Sequence, residues 1–201
     1  MKLFYKAGAC SLAPHIVARE AAIDLDVIQV DLATKKTEQG EDYLATNPNG
    51  YVPALVLDGG ELLTESQILV QYLADLKPES GLMPKAGEMD RYRAQRWLAF
   101  ISSELHKTYG PLFRPDTPDA TKDTNRAHLA KRLGYVDASL EGKPYLLGDH
   151  FTAPDAYLWT VLGWSGRVGV DLSAYKNINR FIETVASRPG VQAALKAEGL
   201  I

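Results

Sequence analysis

One cysteine, one acid–hydroxyl pair, one X-Pro step and one helical histidine carry the side chains whose type and position could do chemistry. Cys10 is the only cysteine in the chain. It lies in Gly8-Ala9-Cys10-Ser11, a small-residue turn between an aromatic-rich segment and an apolar-periodic one. A thiol at a helix start faces unpaired backbone N–H groups and the positive end of the helix dipole; both favour the thiolate and lower its pKa. Because Cys10-Ser11-Leu12-Ala13 is not Cys-x-x-Cys, no second thiol can resolve a mixed disulfide within the chain. Dithiol oxidoreductase chemistry is therefore excluded, and any redox cycle at Cys10 needs an external thiol. The competing reading is a small buried hydrophobe, with Ser11, and less so Tyr5, as alternative hydroxyls.

Thr64-Glu65-Ser66-Gln67 opens an apolar-periodic segment. Helix capping by Thr64 with an acidic first turn accounts for it. So does a site for an α-amino acid group, in which Ser66 and its N–H take the carboxylate and Glu65 the ammonium. Val52-Pro53 places a proline at the start of a strand, either as an edge residue or as a cis-proline exposing the backbone of Val52 to an extended peptide. His106 sits beside Lys107 on a long helix, and spacing alone leaves it without a partner; His15, His128 and His150 likewise show no chemical companions. Thr152-Ala153-Pro154-Asp155 matches the capping box, which makes Asp155 a buried structural carboxylate rather than a catalytic one.

The elements that must position these residues fall into two groups. Residues 2–6 read as a strand, 12–24 as a helix, 27–32 as a strand, and 33–50 as a polar stretch holding a short helix before the Asn47-Pro48-Asn49-Gly50 turn. Strands over 52–57 and 61–63 form a hairpin about Asp58-Gly59-Gly60, and 65–76 is a helix. The order β-α-β-α-β-β-α describes a parallel βαβ unit closed by an edge hairpin. Residues 77–88 read as a linker. Beyond it the pattern is helical only: 89–111, 120–140, 152–166, 178–187 and 190–197.

Composition narrows the classes of function. The net charge of −3, from 22 Lys and Arg against 25 Asp and Glu, with no basic block, argues against a nucleic-acid binder. No apolar run approaches a bilayer span. Residues 1–6 turn polar too soon for a signal peptide, so a cytoplasmic location is the expectation.

These pieces together resemble a cytosolic glutathione transferase of the bacterial beta class. The resemblance runs over the whole chain: Lys2-Leu3-Phe4-Tyr5 before Gly8-Ala9-Cys10-Ser11, Val52-Pro53-Ala54-Leu55, Glu65-Ser66, Glu104-Leu105-His106-Lys107, Leu112-Phe113-Arg114-Pro115, and Phe151-Thr152-Ala153-Pro154-Asp155-Ala156. Val-Pro-Ala and Glu-Ser mark the family at large; Cys10 with His106 marks the class. The resemblance implies an α/β thioredoxin-like N-terminal domain over residues 1–80 and an all-α C-terminal domain over 81–201. It implies that Cys10 faces the glutathione sulfur and can form a mixed disulfide with it, and that His106 lies near the same sulfur. Lys35 would reach the glycine carboxylate, Val52 would pair with the cysteinyl backbone ahead of a cis Pro53, and Glu65 and Ser66 would hold the γ-glutamyl end, with Ser103 contributing from the helical domain. Ala99 replaces an Asn frequent in the class and removes one polar contact.

The implied activity is attack of the glutathione thiolate on a small hydrophobic electrophile, aromatic or halogenated. Glutathione is the co-substrate, with no cofactor and no metal. The implied assembly is a homodimer, and the electrophile pocket is expected between the domains, lined by Tyr109, Leu112, Phe113 and Trp164. A glutathione-dependent thiol reductase or dehalogenase, and a non-catalytic binder of hydrophobic compounds, are the alternatives.

Overall fold

The computed structural model describes residues 1–201. In chain order the elements are β1 (Lys2–Tyr5), α1 (Leu12–Glu20), β2 (Asp26–Asp31), β3 (Lys36–Thr37), α2 (Tyr43–Thr46), β4 (Ala54–Val56), β5 (Leu62–Thr64), α3 (Ser66–Asp75), α4 (Met89–Phe100), a π-helical segment (Ile101–His106), α5 (Lys107–Tyr109), α6 (Asp119–Ser139), α7 (Ala153–Leu162), α8 (Lys176–Ala186) and α9 (Pro189–Ala197). They divide into two compact units, Met1–Met83 with Arg188–Ile201, and Pro84–Ser187.

The first unit is built on a five-stranded sheet of order β3-β2-β1-β4-β5. β1 lies in its centre, parallel to β2 and antiparallel to β4, with Phe4 opposite Ile28 on one side and Ala54 on the other. The period-two alternation of these strands sends Phe4, Ile28, Val30 and Ala54 into one cluster, completed by Tyr43 and Val52. The sequence pattern misses β3, a two-residue strand that folds back antiparallel on β2 and is too short to carry a periodic signal. It also places strand ends a residue or two early or late, where pairing rather than propensity sets the limit.

Helix α1 is buried continuously from Leu12 to Ala18. That extent follows from its packing against both α3 and α9. The sequence reading assigns 81–201 to one helical domain, and here the structure differs. Leu82 and Met83 are buried in the first unit, and Arg188–Ile201 belongs to it as well. The tie is chemical: Arg188 grips the Glu20 carboxylate at the end of α1 through Nη2 at 2.6 Å and Nε at 3.1 Å, a two-point pair that fixes orientation as well as distance.

In the second unit α7 is the central helix. Nine of its ten residues are buried, because α4, α8 and the π-helical segment all pack on it; a helix surrounded in this way is apolar on every face. By contrast α8 buries only the stripe Ile178, Phe181 and Val185. The expected capping box is present at the start of α7. The Asp155 carboxylate is fully buried; one oxygen accepts from the Thr152 N–H at 2.8 Å and hydroxyl at 2.6 Å, the other from the Leu146 N–H at 2.8 Å. Asp155 therefore also pins the loop before the helix, a partner the four-residue pattern does not reveal.

This arrangement ranks two substitutions. Thr152→Ala is expected to cost about 0.5–2 kcal/mol as a lost cap. Asp155→Ala orphans two buried amides at about 1–3 kcal/mol each and must cost more. Thermal unfolding of both variants checks the order, and equal melting temperatures would contradict it.

Candidate functional site

Cys10 sits in the turn that carries the chain from β1 into α1. Its thiol donates to the Val52 carbonyl at 3.2 Å, and the Ser66 hydroxyl donates to the Cys10 carbonyl at 3.3 Å. Three segments far apart in sequence thus meet at one end of the sheet: the turn after β1, the approach to β4, and the start of α3. The loop is anchored from behind by the C-terminal segment. The Gly8 N–H donates to one oxygen of Glu198 at 3.0 Å, while the other oxygen lies 3.0 Å from His15 Nδ1. His15 and Glu198 are buried, and Arg19 Nε donates to the far ring nitrogen of His15 at 3.4 Å. The expectation that His15 has no companion is corrected: its partner lies 183 positions along the chain, beyond any local pattern.

A helix-start position predicts a depressed thiol pKa at Cys10, and the structure reverses that. Burial pushes the thiol up to about 11; a hydrogen bond from Ser66 and the loop N–H groups of Cys10 and Ser11 pull downward, and the Glu65 charge pushes upward. The S–H···O=C bond to Val52 acts in the same direction as burial, because it exists only while the proton is in place. A helix end supplies a modest bias, and here desolvation outweighs it.

Val52 itself is held by groups that the sequence reading leaves as ordinary loop. The Tyr51 carbonyl, one peptide ahead of it, accepts from the Tyr43 hydroxyl at 2.6 Å and from Asn47 Nδ2 at 2.8 Å. The Val52-Pro53 bond is cis. Lys35 lies alongside this segment, donating from Nζ to the Gly50 carbonyl at 2.7 Å and standing 5.5 Å from the centre of the Tyr51 ring. Gly50 has φ +65°, a conformation that favours glycine, and a Cβ there would crowd Leu44 at 3.0 Å and the Lys35 side chain at 3.3 Å.

Glu65 and Ser66 are where the capping interpretation fails. Thr64 ends β5 and does not cap α3; Glu65 occupies the cap position at φ 69°, ψ 114°, and no side chain caps the helix. A non-glycine residue in this region costs about 1–3 kcal/mol and persists where its surroundings enforce it. Ser66 is buried at the first helical position. The chain therefore holds an acidic residue in a strained conformation beside a buried hydroxyl and a helix start, an arrangement that capping does not require.

In the helical unit His106 closes the π-helical segment. Its Nδ1 lies 2.6 Å from the Tyr157 hydroxyl, and Trp164 packs edge-on against its ring at 4.8 Å. Burial lowers the His106 pKa to about 4, so the ring is neutral at pH 7. Trp164 also meets Tyr109 and Phe113 edge-on at 5.9 and 6.0 Å, which brings together the three aromatic residues expected in the pocket; Leu112 is buried on the same turn. Ser103 is exposed and its hydroxyl turns back to the Ala99 carbonyl at 2.9 Å. His128, which the sequence leaves alone, joins Arg132 at the Glu104 carboxylate. No three His, Cys, Asp or Glu side chains are grouped as metal ligands would be.

Two family models match the chain: glutathione S-transferase, N-terminal domain, over residues 7–76, and glutathione S-transferase, C-terminal domain, over residues 100–189. Glutathione S-transferase GstA of Escherichia coli O157:H7 is 50% identical over 200 residues, covering 100% of both chains. The chain belongs to the glutathione S-transferase family. Among solved structures, the sphingomonad glutathione S-transferase complexed with glutathione is 48% identical with a TM-score of 0.96, and the bacterial beta-class enzyme of Sphingomonas chungbukensis is 47% identical with a TM-score of 0.96. Each covers 100% of both chains. The thioredoxin-like first unit, the helical second unit and the beta-class resemblance of the sequence stand on these findings, and the chain is a transferase enzyme.

Within this transferase, Cys10, Val52, Ser66, Glu65 and Lys35 are set around one end of the first unit. The residues that sequence reasoning misses are those that hold them: Tyr43, Asn47 and Glu198. Asn47 carries a signal in its Asn-Pro turn, but nothing local marks the other two. The thiol's state yields a direct test. At pH 7 a thiol of pKa about 11 is ionised in about one molecule in ten thousand. Alkylation of Cys10 by iodoacetamide should therefore be slow at neutral pH and rise about tenfold per pH unit through pH 10. A rate that levels off near pH 8 would show a thiol that burial does not control.

Proposed function

We propose that this enzyme joins glutathione to hydrophobic electrophiles, aromatic or halogenated, and acts as a homodimer in the cytoplasm. The observation that carries the reading is the convergence of Cys10, Val52 and Ser66 within hydrogen-bond distance, beside the strained Glu65. It provides, in one place, a backbone edge, an acid and a hydroxyl at a helix start. These match the three recognisable parts of a γ-glutamyl peptide. Glu65 takes the ammonium and Ser66 with its N–H the carboxylate of the γ-glutamyl end, Val52 pairs with the cysteinyl backbone, and Lys35 takes the glycine carboxylate. Ser103 is assigned a secondary contact from the helical unit.

Both candidate groups at the sulfur are neutral donors at pH 7. Cys10 keeps its proton and His106 is an uncharged imidazole. In this reading the peptide backbone takes the place of the Cys10 thiol at the Val52 carbonyl, and the freed S–H, the His106 N–H and the helix start at Ser11 stabilise the glutathione thiolate. The thiol proton goes to solvent, the sulfur lone pair forms the C–S bond, and halide leaves with the electrons of the C–X bond. A slower second reaction is open to Cys10. As thiolate it attacks the S–S bond of glutathione disulfide, expels one glutathione thiolate and retains the other half as a mixed disulfide.

Three variants test this with an aryl halide as electrophile. Ser66→Ala should weaken glutathione binding by about 1–3 kcal/mol, read by calorimetry. His106→Ala should lower kcat by about tenfold to a thousandfold with glutathione affinity little changed. Cys10→Ala should retain most conjugation and lose disulfide exchange entirely, since no other thiol exists. Unchanged affinity in Ser66→Ala would remove the γ-glutamyl assignment, and a parent rate in His106→Ala would remove His106 from the reaction.

A further inference from the structure

We propose that Tyr157 is the positioning residue for His106. It donates its phenolic proton to Nδ1, fixes the imidazole as the Nε2–H tautomer, and so determines which ring edge carries the donor. The inference rests on His106 serving the glutathione sulfur, as read above.

The backbone sets the direction of the histidine. Ile101–His106 is π-helical between the α-helical α4 and α5. A π segment holds more residues per turn than an α-helix, so side chains along it are rotated from their α-helical directions; such segments recur at functional positions. His106 is the last residue of this one. Its Nδ1 lies 2.6 Å from the hydroxyl of Tyr157 on α7, a side chain 1% exposed. The two rings meet edge-on at 5.9 Å and 85°.

The direction of that bond follows from acid–base chemistry. A neutral imidazole has one N–H and one basic lone pair. A phenol is a weak acid with an ordinary pKa near 10, and the basic imidazole nitrogen is the stronger acceptor of the two groups. The favoured form of a short contact is therefore O–H donating to Nδ1, which leaves the ring hydrogen on Nε2. Burial of His106 supports a neutral ring at pH 7.

The ring plane is fixed independently. Trp164 lies against His106 at 4.8 Å and 68°, and is itself braced by Tyr109, whose hydroxyl is 2.6 Å from that of Ser165. Plane and tautomer together give the Nε2–H a single direction. The same logic holds for metal-bound histidines, where the hydrogen bond on the far nitrogen sets ring orientation.

The test uses the whole enzyme with ¹⁵N-labelled histidine. The four histidines give separate signals, and His106 is assigned by its loss in His106→Gln. The parent should show a lone-pair-bearing Nδ1 and a protonated Nε2. In Tyr157→Phe the His106 signals should move to a mixture of tautomers, and kcat for an aryl halide should fall about tenfold with glutathione affinity unchanged; partners behind metal-bound imidazoles show losses of about tenfold to a hundredfold. A parent spectrum with the proton on Nδ1, or an unchanged His106 spectrum in Tyr157→Phe, overturns the proposal. The parent measurement decides the tautomer even if Tyr157→Phe fails to fold. If His106→Gln is slowed while Tyr157→Phe keeps the parent kcat, Tyr157 has no positioning role. If the tautomer shifts and both variants keep the parent rate, the tautomer assignment holds and the reading of His106 as a donor to the sulfur falls.

Discussion

The hydrogen bond between the Cys10 thiol and the Val52 carbonyl can form only because β1 is paired on both sides. Its parallel partner β2 requires a crossover, and that crossover is α1, which starts where β1 ends and carries Cys10 at its mouth. Its antiparallel partner β4 runs the opposite way, so the residues entering β4 lie at the same end of the sheet. The hairpin partner β5 then returns the chain to that end, where α3 begins with Glu65 and Ser66. One central strand with one parallel and one antiparallel neighbour thus gathers a turn, a backbone edge and a helix start without any of them being close in sequence. The supports are of the same kind. Tyr43 and Asn47 hold the peptide before Val52, and Glu198 holds the loop before Cys10.

At Cys10 and His106 burial outweighs dipoles. The thiol of Cys10 is raised and the imidazole of His106 lowered, and desolvation heads the causes in both cases. Each shift favours the uncharged form, so both groups enter neutral pH as hydrogen-bond donors. In the function proposed above, such neutral donors stabilise the negative sulfur of the bound peptide. Burial also sets pH limits. The neutral His106 contributes stability that is present above its unfolded value of about 6.5 and is lost as pH falls toward its folded value of about 4. For Cys10 the folded value lies above the unfolded one, so its contribution is lost as pH rises toward about 11.

Local rules are broken at a few positions: Ala22 and Glu65 are non-glycine residues at positive φ, 52° and 69°. Glu65 takes a conformation that glycine would adopt freely, and the helix behind it begins without a side-chain cap. Lys35 also has positive φ, 57°, and lies against Gly50. The regular α-helical hydrogen-bond pattern is interrupted over Ile101–His106. By contrast, α7 obeys every rule it could: a satisfied capping box, an apolar surface all round and complete burial of Asp155. Strain of this kind survives only on a frame that is itself over-determined.

Much of the frame is legible in the residues alone. Alternating apolar positions mark the strands, threefold and fourfold spacing marks the helices, and Thr152 to Asp155 announces a capped core helix. Cys10 stands out as the single thiol of the chain, set in a small-residue turn at a helix start, and Glu65-Ser66 and Val52-Pro53 stand out as pairs. What these signals share is locality: each is complete within a few residues. The thiol's ionisation is misread from the same residues, because a helix start is visible in sequence while the groups that bury a thiol are not. Only the tertiary structure could give His15 the carboxylate of Glu198, give His106 the hydroxyl of Tyr157, and move Arg188–Ile201 into the first unit. The physical reason is common to all three. Spacing encodes the face a side chain presents, but the group that meets it comes from a distant segment whose position is set by packing.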